Sequence, residues 1–334
     1  MIAILKHGAC AADIEKLCSV LRGEGLDVRL LDGENQSFLS ISGECGQIEE
    51  SLRAVDIIES VTRVSEPYKK AGRRAHPDDS VISVGEGIRF GEGFPIIAGP
   101  CTVESREQIL DIAAKVKKCG ASLLRGGAFK PRTSPYDFQG LHAEGIRLLL
   151  EAKRETGIPV VSEIMDTAHL PLFDEVDVIQ VGARNMQNYE LLKELGHTKK
   201  PILLKRGLSS TLRELLMSAE YIMAGGNDNV ILCERGIRTF ETSTRNTLDL
   251  SAVPMLHEMT HLPVIVDPSH ATGASRLVKP MAAAAAACGA DGIMLEVHSD
   301  PLTALCDGPQ ALTPDEFDET VKSVKAVRSA LGYK

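Results

Sequence analysis

The chain has no long hydrophobic run, no paired-cysteine motif, no glycine-rich nucleotide signature and no excess of positive charge. Each absence removes a class of function. The longest uncharged stretch near the C-terminus, PMAAAAAACGA, has 11 residues between Lys279 and Asp291, well short of the ~20 a membrane-spanning helix needs. Its six alanines, 282 to 287, read as a strong helix former that packs closely on a neighbour. Eight cysteines are scattered at 10, 18, 45, 101, 119, 233, 288 and 306, with no C-x-x-C pair. The opening MIAILKH reaches a lysine after five residues and has no secretory core. Reduced thiols and a cytoplasmic protein are expected. A net charge of −9 argues against a general nucleic-acid binder, while leaving room for a local basic pocket. No G-x-G-x-x-G or Walker sequence follows any apolar run, which weakens an open nucleotide-binding sheet.

At 334 residues the chain suits one large domain with a minor one. Residues 1–65 read as the small unit. MIAILKH is strand-like, and Ile14, Leu17, Cys18 and Leu21 share one helical face before Gly23 and Gly25. LDVRLLDG and SFLSISG read as strands, QIEESLRAV as a second helix and DIIESVTRVS as a last strand. The order βαββαβ is that of a ferredoxin-like domain. Residues 66–80 are charged and proline-bearing and read as a linker. VISVGEGIRFGEG reads as a glycine-turned hairpin.

From residue 94 short apolar runs alternate eight times with helical stretches. Ser105 with Gln108 has the spacing of a capping box, and Gly120 suits a helix C-terminus. Apolar strands alternating with helices imply a parallel sheet buried on both faces. Eight units in about 240 residues fit a (β/α)8 barrel over 81–334.

Barrel enzymes carry their chemistry at the C-terminal ends of the strands. Two groups of residues fall there. Cys101, His270, Glu296 and Asp307 combine sulfur, imidazole and carboxylate, a mixed set that suits Mn, Fe, Co or Zn better than Mg or Ca. Each alone also reads as a packed thiol or a hydrogen-bonded side chain. Their positions near strands 1, 7 and 8, neighbours in a closed barrel, favour the joint reading. Arg125, Lys130, Arg132, Arg184, Lys205 and Arg235 form a basic set in an acidic chain. Such a crowd suits small phosphorylated anions. A Schiff-base aldolase is the rival, with Lys130 or Lys205 as nucleophile if its pKa is depressed. A non-catalytic sensor of phosphorylated metabolites would bind the same anions without needing the mixed donor set.

The stretches AGPC, LRGGAFKPRTSP, SEIMD, VGARN, LLKRG, ERGIRTFE, DPSHATG and GIMLEVH, in that order, resemble the 3-deoxy-D-arabino-heptulosonate 7-phosphate (DAHP) synthase family, in its short form with an added ferredoxin-like domain. KPRTSP separates it from the sister enzyme that makes 3-deoxy-D-manno-octulosonate 8-phosphate, which remains the alternative. The resemblance implies metal ligands at Cys101, His270, Glu296 and Asp307. It implies a phosphoenolpyruvate pocket of Arg125, Lys130, Arg184, Lys205 and Arg235 with backbone amides near Gly182 and Ala183. Erythrose 4-phosphate would meet Arg132, Thr133 and Ser134. A divalent ion would polarise the aldehyde, Lys130 would protonate the new alkoxide, and Glu163 would orient or deprotonate a water. For residues 1–65 the resemblance implies a regulatory module responding to tyrosine or phenylalanine, in a homotetramer; a purely stabilising or oligomerising role is the alternative. Cys10, Cys18 and Cys45 are expected to serve packing.

Overall fold

A computed structural model describes residues 1–32, 36–43, 48–62, 67–132 and 134–333. The chain forms two compact units, one of residues 1–79 with 259–261 and one of the remainder.

In the first unit the strands are β1 (Ile2–Leu5), β2 (Asp27–Asp32), β3 (Ser37–Ser42) and β4 (Ile58–Thr62), with helices α1 (Ala11–Gly23) and α2 (Ile48–Arg53). The sheet order is β2-β3-β1-β4, all antiparallel. This is the ferredoxin-like arrangement, in which β3 inserts between β1 and β2. The expected helical stripe is real: Ile14, Cys18 and Leu21 are buried against Ala3, Leu39 and Val61. Cys10 departs from expectation. It is exposed just before α1 and packs no core, because it lies outside the helical stripe. Cys45 lies outside the described residues. Within the stretch expected as a linker, Tyr68 and Ala71 are buried and Gly72 bridges Thr260.

The second unit opens with the hairpin β5 (Ile82–Val84) and β6 (Ile88–Phe90). Eight parallel strands follow: β7 (Ile96–Gly99), β8 (Leu123–Arg125), β9 (Val160–Ile164), β10 (Val178–Val181), β11 (Ile202–Lys205), β12 (Val230–Glu234), β13 (Val264–Val266) and β14 (Ile293–Glu296). They close into a barrel through β14 and β7, with Ile293 opposite Ile96 and Glu296 opposite Gly99. Around it lie α3 (Arg106–Lys118), α4 (Ala143–Thr156), α5 (Tyr189–Gly196), α6 (Leu212–Ala224), α7 (Ala252–Met259), α8 (Pro268–Thr272), α9 (Ser275–Ala287) and α10 (Pro314–Ala330).

The strands are buried on both faces because helices cover the outside and side chains fill the inside. Ile82, Val84 and Phe90 of the hairpin pack with Ile97, Leu123 and Val161 of the barrel interior. Their apolar plug leaves the opposite, C-terminal end for polar groups. The alanine run behaves as read: Ala282, Ala285 and Ala286 of α9 are fully buried. The capping box at α3 does not close as expected. Ser105 accepts from Gln108 N at 3.1 Å, but the Gln108 side chain turns to the amide of Glu104, also at 3.1 Å, rather than to that of Ser105. No helix among the described residues is long and apolar enough to cross a membrane.

Candidate functional site: four ligand-type side chains beneath a basic cleft

The C-terminal mouth of the barrel holds a cleft of about 270 Å³. At its floor Cys101, His270, Glu296 and Asp307 each offer a donor atom, and these atoms lie within 4.8 Å of one another. Barrel closure makes this possible, since Cys101 follows β7, Glu296 ends β14 and His270 lies on α8 after β13. Cys101 Sγ is 3.1 Å from Asp307 Oδ2, and His270 Nε2 is 3.1 Å from Glu296 Oε1.

The imidazole is oriented from behind. Asp267 caps α8 by accepting from His270 N at 2.9 Å, and its other oxygen lies 2.7 Å from His270 Nδ1. That leaves Nε2 facing the cluster, the usual outer-shell support of a ligating histidine. Burial pushes the His270 pKa down to about 4, against the pull of Asp267 and Glu296. The ring is therefore neutral at pH 7, the form that binds metal. Burial pushes the Cys101 thiol up, and the neighbouring Cys306 and Glu296 add to this. A cation at the cluster is what would hold that sulfur as thiolate. Glu296 and Asp307 stay ionised despite burial. Arg125 and Lys130 hold Glu296 low, and Lys130 and Arg245 hold Asp307 well below the carboxylate range. Sulfur, neutral imidazole and two carboxylates are a donor set that fits a divalent first-row ion.

The basic residues divide into two kinds. Arg125 Nη1 meets Glu296 at 2.6 Å, Lys130 Nζ meets Asp307 at 3.0 Å, Lys205 Nζ meets Asp267 at 2.5 Å, and Arg132 Nη2 meets Asp137 at 2.9 Å. These four are held by carboxylates of the chain. Among the described residues Arg184 and Arg235 meet no carboxylate; Arg184 is exposed at the rim, and buried Arg235 donates to the carbonyls of Gly236 and His270. The buried Arg125 Nε has no hydrogen-bond partner among the described residues. Unused donors in a buried site are suited to an anion.

Burial alone would lower the Lys130 pKa, but the Asp307 and Glu296 carboxylates outweigh it and hold the ammonium proton firmly. Lys130 is also 2.7 Å from Cys101 Sγ. A protonated lysine is no carbonyl nucleophile, so the Schiff-base alternative loses Lys130; Lys205 is buried in its ion pair with Asp267.

Glu163 lines the cleft with Gly182, Ala183 and Arg184. Its carboxylate accepts from Gln180 at 2.7 Å. A Cβ on Gly182 would fall 2.0 Å from Glu163 Oε1, so glycine keeps space for that carboxylate. Ser134 accepts from the Tyr136 amide at 3.3 Å and does not line the cleft. Thr133 lies outside the described residues. Sequence reasoning passed over Cys306, Arg238, Arg245 and Asn246, which also line the cleft. A readable signal existed for the last three: they sit in the long polar connection between β12 and α7, at the functional end of the barrel.

Residues 79–332 match the DAHP synthetase I family, and residues 1–66 match the DAHP synthase ferredoxin-like domain. A curated relative, phospho-2-dehydro-3-deoxyheptonate aldolase of Thermotoga maritima, is 47% identical over 337 residues, spanning 100% of this chain and 99% of its own. The crystal structure of that aldolase (DAHP synthase) from Thermotoga maritima superposes with a TM-score of 0.79 at 46% identity, covering 100% of this chain and 98% of that one. The 2-dehydro-3-deoxyphosphooctonate aldolase of Syntrophobacter fumaroxidans is 33% identical over 250 residues, 69% of this chain and 86% of its own. The sister activity is thus matched more distantly and without the whole chain. Extent, order of motifs and fold agree, and the chain belongs to the DAHP synthetase I family, carrying that family's ferredoxin-like domain at its N-terminus.

Proposed function

We propose that this enzyme condenses phosphoenolpyruvate with D-erythrose 4-phosphate and water to give DAHP and phosphate, the first step of the shikimate pathway. The observation that carries the reading is the convergence of Cys101, His270, Glu296 and Asp307 beneath a cleft lined by Lys130, Arg132, Arg184 and Arg235. Those four residues would hold a divalent ion of the Mn, Fe, Co or Zn type. The chemistry such an ion supplies is Lewis-acid polarisation of an aldehyde oxygen.

The remaining work falls to the chain. Arg125, Arg184, Lys205 and Arg235, with the backbone at Gly182 and Ala183, bind and orient phosphoenolpyruvate so that its enol carbon faces the aldehyde. Arg132, which lines the cleft, binds the phosphate of the second substrate; Thr133 and Ser134 are assigned there by the family resemblance, and Ser134 would have to turn into the cleft to join it. Lys130 keeps its proton in the resting site and stands beside Cys101 and Asp307, so it is suited to hand a proton to the alkoxide that forms when the carbon–carbon bond closes. Glu163, anchored by Gln180, directs water to the oxocarbenium-like carbon, and phosphate leaves with cleavage of its C–O bond.

The finer parts of the proposal are a homotetramer, a cytoplasmic location, and a regulatory N-terminal domain over 1–65 that responds to tyrosine or phenylalanine. Regulation requires that the effector favour one state of the enzyme by differential affinity. The decisive assay follows phosphoenolpyruvate loss with erythrose 4-phosphate after metal is stripped and Mn²⁺ restored. Recovery with Mn²⁺, and poor turnover of arabinose 5-phosphate, is the expected result. Equal or better turnover of arabinose 5-phosphate would assign the sister reaction instead, and no turnover with any metal would leave a phosphometabolite binder.

A further inference from the structure

We infer that Arg245, Asn246 and Gln310 form a strut that positions three of the four ligand-type residues, His270, Glu296 and Asp307. The inference rests on the metal-dependent reading above and adds to it residues that hold the site without touching the reacting atoms.

The strut begins on α8. The amides of Arg245 and Asn246 donate to the carbonyls of Thr272 and Ala271 at 3.0 and 2.8 Å. Asn246 Nδ2 donates to the carbonyl of His270 at 3.0 Å. The connection between β12 and α7 is thus laced to the short helix that carries His270. Gly273 ends that helix with φ +69°, and a Cβ there would come within 2.6 Å of Arg245 Cβ. Glycine leaves the arginine stem room to cross.

The guanidinium reaches one carboxylate directly and the other through Gln310. Arg245 Nη1 donates to Asp307 Oδ1 at 3.1 Å and to Gln310 Oε1 at 2.9 Å. Gln310 is buried, and its Nε2 donates to Glu296 Oε2 at 2.6 Å. Each carboxylate therefore has one oxygen tied outward. Its other oxygen faces the cluster: Glu296 Oε1 toward His270 and Asp307 Oδ2 toward Cys101. This arrangement favours one-oxygen ligation by each acid over chelation by both oxygens, and so sets the coordination number.

Backbone geometry points the same way. Asp307 has φ +53°, a left-handed conformation that a non-glycine residue keeps only where its surroundings hold it. The Gln310 amide closes a turn on the Asp307 carbonyl at 3.2 Å, and the Arg245 contact clamps the side chain. The neutral amide of Gln310 satisfies the inner acid without adding charge beside Arg125.

The test measures metal binding in the full-length protein. Mn²⁺ affinity is read from the electron paramagnetic resonance of free ion, and coordination from the visible d–d bands of the Co²⁺ form. Arg245→Gln and Gln310→Glu are each expected to weaken Mn²⁺ binding about 10–100-fold and to shift the Co²⁺ bands, while the sulfur-to-cobalt absorption from Cys101 persists. The double variant should lose less than the product of the two single losses, because both act in one network. Arg245→Lys should recover part of the affinity. If either variant fails to fold, Arg245→Lys and Asn246→Ser carry the same titration, with weakened binding expected. Wild-type affinity and unshifted bands in the folded variants, even with a lowered apo-protein Tm, would overturn the strut and leave a packing role. A wild-type chain that takes up neither Mn²⁺ nor Co²⁺ overturns the metal-dependent reading itself.

Discussion

Asp267 holds His270 at two points, accepting its backbone N–H at 2.9 Å with one oxygen and meeting Nδ1 at 2.7 Å with the other. One carboxylate thereby caps a helix, fixes a ring and selects which nitrogen faces the cluster. The same Asp267 oxygen is the counter-ion of Lys205.

Asp267→Asn should therefore have two separable consequences. Mn²⁺ affinity should fall about 10–100-fold as the ring loses its fixed orientation. Chemical denaturation should show a loss of about 3 kcal/mol, because Lys205 is left as an uncompensated buried charge. A variant with unchanged Mn²⁺ affinity would remove Asp267 from the support of the site.

Cys101→Ala should abolish metal-stimulated turnover while leaving a folded protein, since a small buried residue replaces another. Full activity of this variant in metal-free buffer would end the assignment of Cys101 as a ligand. Far-UV circular dichroism alongside the assay separates lost chemistry from lost fold.

Gly182→Ala places a Cβ where Glu163 Oε1 now sits, at 2.0 Å. The alanine is compatible with the local backbone, so the expected cost falls on Glu163 rather than on the turn. We expect kcat to drop by about 10²-fold, the range associated with losing a positioned acid–base group. Glu163→Gln should match it, and combining the two changes should add little. A Gly182→Ala enzyme with wild-type kcat would exclude Glu163 from water activation.

The buried imidazole makes apo-protein stability sensitive to acid. Unfolded, His270 takes up a proton near its ordinary value of 6.5; folded, burial delays this to about 4. Between those values the unfolded chain binds more protons, so stability falls as pH falls. Above 6.5 the group adds no slope. Urea midpoints of the metal-free protein from pH 7.5 to 4.5, compared with those of His270→Gln, isolate the contribution. Parallel curves for the two proteins would contradict it.

A chain beginning at residue 67 removes the ferredoxin-like strands but keeps the buried Tyr68 and Ala71. It should condense the two substrates yet lose inhibition by tyrosine or phenylalanine. Undiminished inhibition would place the effector elsewhere.

The barrel was legible because its strands carry near-continuous apolar runs, and a closed parallel sheet permits few alternatives. Cys101, His270 and Glu296 were legible at or just beyond strand ends, Asp307 in the loop after the last strand, and the family resemblance joined the four as one set. Pairing was not legible. Nothing local in LLKRG announces that Lys205 is neutralised by Asp267, or in ALCDGPQAL that Gln310 meets Glu296. Those contacts join segments that only the closed barrel brings together. The open-ended reading of the basic set shows the same limit, since sequence counts six cations but cannot tell that four already have internal partners. Gln108 turned away from its expected partner for a local reason, as the neighbouring Glu104 N–H offered a competing donor to its side-chain oxygen.

The joining of β14 to β7 has a consequence for when the proposed metal site can form. Cys101 and Asp307 are separated by 206 positions yet lie 3.1 Å apart. During synthesis the sulfur side emerges early and waits for almost the whole of the barrel. Only after residue 307 has left the ribosome and the last strand has docked does a complete set of donors exist. Loading of the proposed ion would then be a maturation step that follows translation, and an unfinished or prematurely released chain would offer lone thiols and histidines instead of a site.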